Sequence, residues 1–311
     1  MLEYGVPPPG YRLPDATRLG RVALQVSDLA QSLEYYTTVV GLRVLRDASP
    51  VVVLGAMDDE TPLIELRERR DARPVPRRGR LGLFHVAILL PDRRALGRVL
   101  RHLGDIGVQP GMSDHFVSEA LYLWDPDGLG LEIYADRPRS IWRAEGRQLY
   151  MTTEPLDVAG VLAEADDAPP ALPRGTVIGH VHLSVDDIAR ASGFYHDVVG
   201  FDRMVWSYPG ALFMAAGGYH HHLGTNTWSA GAPVAAEDDA RLVEWEIVVP
   251  ESSDVAAVAA SVRQKIPGEA SSRFVDPVSS RHPESSGDFV VTDPWGVHVA
   301  IRAAARPSSR A

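Results

Sequence analysis

Apolar and polar residues alternate along Arg21–Val26, the pattern of a half-buried strand. Just beyond it, Asp28 is placed to cap a helix, since its side-chain oxygen can accept from the free amides of a first turn. Leu29, Leu33, Tyr36, Val39 and Val40 then fall on one helical face, and Gly41 ends the run. Short strands follow at Val51–Leu54 and Leu63–Leu66. A second unit opens with a strand over His85–Leu90 and continues with a helix over Ala95–Leu103. It closes with strands at Leu121–Trp124 and Leu131–Tyr134. Asp125-Pro126-Asp127-Gly128 joins those last two strands as a turn in which glycine supplies a positive φ.

The same pattern then recurs. Leu19–Leu42 (LGRVALQVSDLAQSLEYYTTVVGL) aligns without a gap on Ile178–Phe201 (IGHVHLSVDDIARASGFYHDVVGF). Phe84–Pro91 falls on Val243–Pro250 at the same offset, and Trp124–Ile133 resembles Thr292–Ile301 after a short insertion. The chain is therefore a duplicated half, and each half holds two units of strand, helix and three strands. The expected division is 1–150, a linker over 151–175 and 176–311, the linker containing Asp166-Asp167-Ala168-Pro169-Pro170.

Composition narrows the chemistry. The 311 residues carry 31 Lys+Arg against 41 Asp+Glu, a formal charge of −10, which argues against a nucleic-acid partner. No apolar run is long enough for a membrane span, and Met1–Gly10 does not read as a secretory signal, so the expectation is a cytoplasmic protein. There is no cysteine, which removes disulfides, thiolate metal sites and thiol nucleophiles together. A metal would have to sit on Asp, Glu or one of 11 histidines. No Gly-rich phosphate loop follows any of the strands. The arginines at 67, 69, 70, 73, 77, 78 and 80, interrupted by Pro74 and Pro76, read as a solvated connection with some capacity to neutralise an anion.

The G-x-V-x-L-x-V-x-D openings at Gly20 and Gly179, with the D-P-x-G turns at Asp125 and Asp293, resemble the vicinal oxygen chelate superfamily. Within it the chain is similar to the two-domain, catechol 2,3-dioxygenase-like branch. Two stretches carry that narrower likeness: Gly217–Trp228, and His115-x5-Leu121-Tyr122-x2-Asp125-Pro126-x-Gly128-x3-Glu132. The latter follows the extradiol ring-cleavage signature except at Ser113. The resemblance implies an α+β fold of four βαβββ modules, paired into two open, barrel-like cups, one for each half.

The resemblance also implies that each module offers a metal ligand from its first strand and another from its last. The first-strand positions are Arg21, His85, His180 and Glu244; the last-strand positions read as Glu65, Glu132, His222 and Ala300. In the C-terminal half, His180, His222 and Glu244 form a 2-His-1-carboxylate set of the kind that leaves positions open on Fe(II). His182, His220 and His298 stand near it as acid–base candidates, whereas strand alternation turns His221 the other way. The alternative site in the N-terminal half is His85, Glu132 and Glu65, with His115 and Tyr122 placed to move protons and touch substrate. There Arg21 stands where a histidine is expected, and a guanidinium cannot ligate a metal. An Arg21–Glu132 or Arg21–Glu65 ion pair would be the degenerate state of such a site. Six histidines cluster around the C-terminal candidate, which makes it the preferred one.

Trp228, Trp245, Phe213 and Tyr219 are candidates to line an aromatic pocket, although core packing would also use them. The activity implied is an extradiol-type dioxygenase using Fe(II), or else Mn(II), Zn or Ni, with a small aromatic substrate and dioxygen as partners. A homo-oligomer is compatible with the sequence. The alternatives are a glyoxalase-type isomerase or lyase that consumes no oxygen, and a metal-free binding or resistance protein.

Overall fold

The computed structural model describes residues 4–266, 272–274 and 288–305. Module one comprises β1 (Arg18–Val26), α1 (Leu29–Glu34), β2 (Arg43–Ala48), β3 (Val51–Gly55) and β4 (Pro62–Glu68). Module two comprises β5 (Gly82–Leu90), α2 (Arg93–Asp105), β6 (Gly111–Asp114), β7 (Ser118–Trp124) and β8 (Gly130–Asp136). A two-stranded ribbon of β9 (Ala144–Glu145) and β10 (Gln148–Leu149) leads to α3 (Val158–Glu164). Module three has β11 (Val177–Ser184), α4 (Ile188–Ser192), β12 (Asp202–Val205), β13 (Ala211–Ala215) and β14 (Leu223–Asn226). Module four has β15 (Arg241–Val249), α5 (Ser252–Lys265), β16 (Ser272–Phe274), β17 (Phe289–Thr292) and β18 (His298–Ala303).

The expected caps form. Asp28 accepts from the Gln31 amide, and its repeat partner Asp187 accepts from the amides of Ala189 and Arg190. The helix expected to run on to Gly41 instead widens into a π-helical turn at Tyr35–Val39, mirrored at Gly193–Val199. One tyrosine in each turn is fully buried and reaches an aspartate of the following module: Tyr36 Oη to Asp125 (3.1 Å) and Tyr195 Oη to Asp293 (2.6 Å). Those aspartates begin the D-P-x-G turns, where Gly128 adopts φ 85°. Burial pushes the Asp125 carboxyl up to about 7 and the Asp293 carboxyl up to about 6.

Two eight-stranded sheets form, and their order departs from the sequence expectation. One runs β12-β13-β14-β11-β5-β8-β7-β6, the other β16-β17-β18-β15-β1-β4-β3-β2. Modules two and three thus share one cup, and modules one and four share the other. The division at 151–175 marks the repeat, and both cups cross it. The cause lies in the opening strands: β5 pairs antiparallel with β11 and β1 with β15, while within each module the first strand pairs parallel with the last. Part of the expected linker is itself folded, as α3 packs on α2 where Gly97 allows the close approach; a Cβ there would come within 2.5 Å of the Val161 carbonyl. No helix among the described residues is long and apolar enough to cross a membrane.

Candidate active site

Two opening strands that lie side by side bring their inward residues together. In the cup of modules two and three these are His85 on β5 and His180 on β11, and β8 adds Glu132. Glu132 Oε2 lies 2.9 Å from His85 Nε2 and 3.2 Å from His180 Nε2, and the two imidazole nitrogens are 3.3 Å apart. All three side chains are buried, and together they are the one group of convergent potential metal donors among the described residues. Burial pushes His180 down to about 4, against the pull of Glu132, so at neutral pH the ring keeps a lone pair for a metal. Burial alone would raise the Glu132 carboxyl, but the facing His180 and His85 rings hold it well below the usual carboxylate range. Two imidazoles and one carboxylate form a donor set suited to a divalent metal with open positions.

The expected ligand sets are therefore corrected. The preferred trio of His180, His222 and Glu244 does not meet. Glu244 lies in the other sheet and pairs with Arg21 Nη2 (3.2 Å). His222 turns its Nδ1 to the Ala216 amide (3.2 Å) beside Phe201 and Tyr219. In strand register, Gly224, not His222, matches Glu132, because Gly224 is opposite His182 as Glu132 is opposite Ala87. No ligand fits at Gly224: a Cβ there would meet the His182 ring at 2.9 Å. From the alternative trio, Glu65 also belongs to the other cup, while His85 and Glu132 are in place.

The triad opens into a cavity of about 710 Å³. His115 and Tyr122, from β7 and the turn before it, line the same cavity, with His115 Nε2 2.7 Å from Tyr122 Oη. The tautomer follows from the other ring nitrogen. His115 Nδ1 lies 2.6 Å from the Thr152 carbonyl, which can only accept, so Nδ1 carries the proton and Nε2 of the neutral ring accepts from the tyrosine. Burial, reinforced by the Glu132 charge, raises the Tyr122 hydroxyl well above its ordinary range and keeps it a donor.

The other histidines separate. His182 lines the cavity, its ring 4.9 Å from that of His85, and burial lowers it well below the ordinary range. Asn226 Oδ1 accepts from the Trp228 amide, which orients the Asn226 NH₂ to donate to His182 Nε2 (3.0 Å). His220 is outside the cavity lining. Its Nε2–H donates to Asp136 (2.9 Å), and its Nδ1 accepts from His221 Nδ1–H (2.7 Å). His298 sits in the other cup on β18, beside Thr292 Oγ1 (3.0 Å). His221, which alternation turned away, faces the cavity and lies against His180 with ring centroids 4.0 Å apart and ring planes tilted by 46°. The chain at His220–His222 is irregular and β14 begins only at Leu223, so strand periodicity does not govern the triplet. Of the aromatic candidates, Trp228 and Phe213 line the cavity; Tyr219 and Trp245 are buried elsewhere.

The second cup is filled by charge. Arg21 Nη1 meets Glu65 at 3.0 Å, Nη2 meets Glu244 at 3.2 Å and Nε meets Glu246 at 2.8 Å, with Arg67 and Arg302 bracing the outer carboxylates. The Nε and Nη1 contacts are ion pairs whose N–H directions miss the oxygens. The Arg21–Glu65 pair expected from the sequence forms; Arg21–Glu132 does not, since those residues lie in different sheets.

Comparisons with known proteins agree with this architecture. The glyoxalase/bleomycin resistance protein/dioxygenase superfamily model matches residues 18–133 and 177–301. The chain is 43% identical over 275 residues to the catechol-2,3-dioxygenase of Bacillus subtilis (strain 168), covering 86% of this chain and 96% of that one. A solved protein of Bacillus subtilis subsp. subtilis str. 168 superposes with a TM-score of 0.65 at 13% identity, over 96% of this chain and 87% of its own. Glyoxalase I from Zea mays superposes with a TM-score of 0.55 at 16% identity, over 93% and 92%. At those identities the solved structures speak for the fold alone. By its repeat, its two cups and these matches, the chain belongs to the glyoxalase/bleomycin resistance protein/dioxygenase superfamily.

Proposed function

We propose that this protein is an Fe(II)-dependent extradiol dioxygenase that opens the ring of a catechol beside its two hydroxyls. The observation that carries the reading is the His115–Tyr122 pair in the same cavity as the His85–Glu132–His180 triad. A triad alone would serve metal-assisted isomerisation equally well; a positioned proton relay facing it suits the proton movements of ring opening. The 43% identity to a protein named catechol-2,3-dioxygenase supports the same reading.

His85, His180 and Glu132 would hold the metal. Bound there, a divalent iron supplies Lewis-acid polarisation of two vicinal hydroxyls and open positions for dioxygen. The protein does the rest. Tyr122 Oη, its one proton directed to His115 Nε2, accepts from a substrate hydroxyl, so a proton leaving the diol passes through Tyr122 to His115 while Thr152 holds the other ring nitrogen. His182, oriented by Asn226, presents a polar edge beside the ligands. Phe84, Phe213 and Trp228 wall the cavity with aromatic surface that receives a planar ring and limits water.

The test is anaerobic reconstitution with Fe(II), followed by dioxygen and a panel of catechols. One molecule of oxygen consumed per ring opened is the expected result. Iron-loaded protein that consumes no oxygen across the panel sinks the proposal, and turnover under argon with Ni, Zn or Mn would point to glyoxalase-type chemistry.

A further inference from the structure

The arginine-rich connection between β4 and β5 is only partly the solvated segment that its sequence suggests. Most of its cations are spoken for. Arg67 pairs with Glu65, Arg69 with Asp71, Arg70 with Glu68, Arg73 with Asp238 and Arg80 with Asp239. Arg78 has no carboxylate partner among the described residues, and it lines the cavity. Its guanidinium carbon lies 5.7 Å from the Phe84 ring centroid, and Phe84 in turn is 5.1 Å from the His85 ring. One aromatic ring thus separates a free cation from a member of the triad.

Two further observations give that position meaning. The first is backbone. The Gly79 amide bonds the Pro76 carbonyl (2.8 Å), closing a turn whose third residue is Arg78 at φ 57°. Such a turn favours Gly or Asn there, and a side chain as bulky as arginine is held at a cost in strain. The turn is pinned to module two, with the Val75 amide on the Asp127 carbonyl (2.8 Å). The second is charge. Glu132 is the sole carboxylate of the described cavity lining, and a bound metal would neutralise it. In a chain of net charge −10, this cavity mouth is left with an uncompensated positive charge at the end of an apolar wall.

From this arrangement we infer that Arg78 is a specificity-determining residue, selecting catechols whose ring substituent ends in a carboxylate. The inference rests on the catechol reading above and extends it to a substrate class. The diol would face the triad, the substituent would run along Phe84 toward Trp228, and the terminal anion would meet the guanidinium in a charge-assisted, two-pronged contact.

Binding to the metal-loaded protein under argon tests it, followed by tryptophan fluorescence, with 3-(3,4-dihydroxyphenyl)propanoate compared with its primary amide. The wild type should bind the carboxylate about 10- to 100-fold more tightly than the amide. Arg78→Gly should bring that ratio close to one, and because glycine suits the left-handed turn, its Tm should not fall. Arg77→Gln should preserve the ratio. A wild type without the preference, or an Arg78→Gly that keeps it, overturns the inference. Preference without oxygen-dependent cleavage of either probe leaves Arg78 in its role and removes the dioxygenase. Cleavage of both with no change of ratio in Arg78→Gly does the reverse.

Discussion

At the centre of one cup two imidazoles face a single carboxylate; at the same place in the other, a guanidinium faces three. The scaffolds are repeats of each other, down to the parallel pairing of first and last strands, so backbone geometry does not explain the difference. Side-chain charge does. The first cup carries one negative charge and two lone-pair donors, an arrangement that a divalent ion completes. In the second, Arg21 already occupies that role as a fixed cation, and neighbouring arginines balance the remaining carboxylates. Duplication supplied two equivalent places, and a single residue type at each first strand decides what they can hold.

The largest expected effect removes the contrast altogether. His85→Ala, His180→Ala or Glu132→Gln should abolish bound metal by elemental analysis. Turnover should fall well beyond the ~100-fold typical of losing an outer partner of a ligand. Glu244→Gln, in the other cup, should leave metal content unchanged, and a fall there would break the assignment of the live site. Tyr122→Phe and His115→Gln should retain metal yet lower kcat by ~10²–10⁴-fold, the usual range for a lost proton relay.

On the other side of the comparison, Arg21→Met leaves the buried Glu65 and Glu246 and the half-buried Glu244 without their shared cation. A loss of ~3–5 kcal/mol in denaturant unfolding is expected, with metal stoichiometry unaltered in the folded fraction. The smallest effect concerns the ties between the cups. Asp125, raised to about 7, binds a proton in the folded state that the unfolded chain releases near pH 4. Its contribution to stability therefore falls as pH rises through that window, by up to ~1.4 kcal/mol per unit, and levels off above it. Unfolding measured from pH 4 to 8 should show this slope diminished in Asp125→Asn.

Much of the fold is legible in the sequence. The caps at Asp28 and Asp187, the duplicated openings and the D-P-x-G turns are local features, set by hydrogen-bonding capacity and period over a few residues. The pairing of cups is not, because β5 against β11 is a contact between strands some 95 residues apart in the His85–His180 pair. One signal pointed to it. His85 and His180 are alike, while Arg21 and Glu244 are opposite in charge, so each residue has its natural partner across the halves. His222 lies away from the triad for a different reason: strand alternation does not hold across His220–His222, which are not strand. The glycine that truly holds the register, Gly224, has no side chain to betray its role.

The crossing of strands between halves also bears on ancestry. A single half, cut free, would hold one side of each cup and the interior of neither. To close a cup it would have to meet a second copy of itself, and a symmetric pair would carry two identical centres. Joining two copies in one chain lifts that identity, since each centre then answers to its own codons. One could keep its imidazoles while the other exchanged them for an arginine, and neither change would echo in its twin.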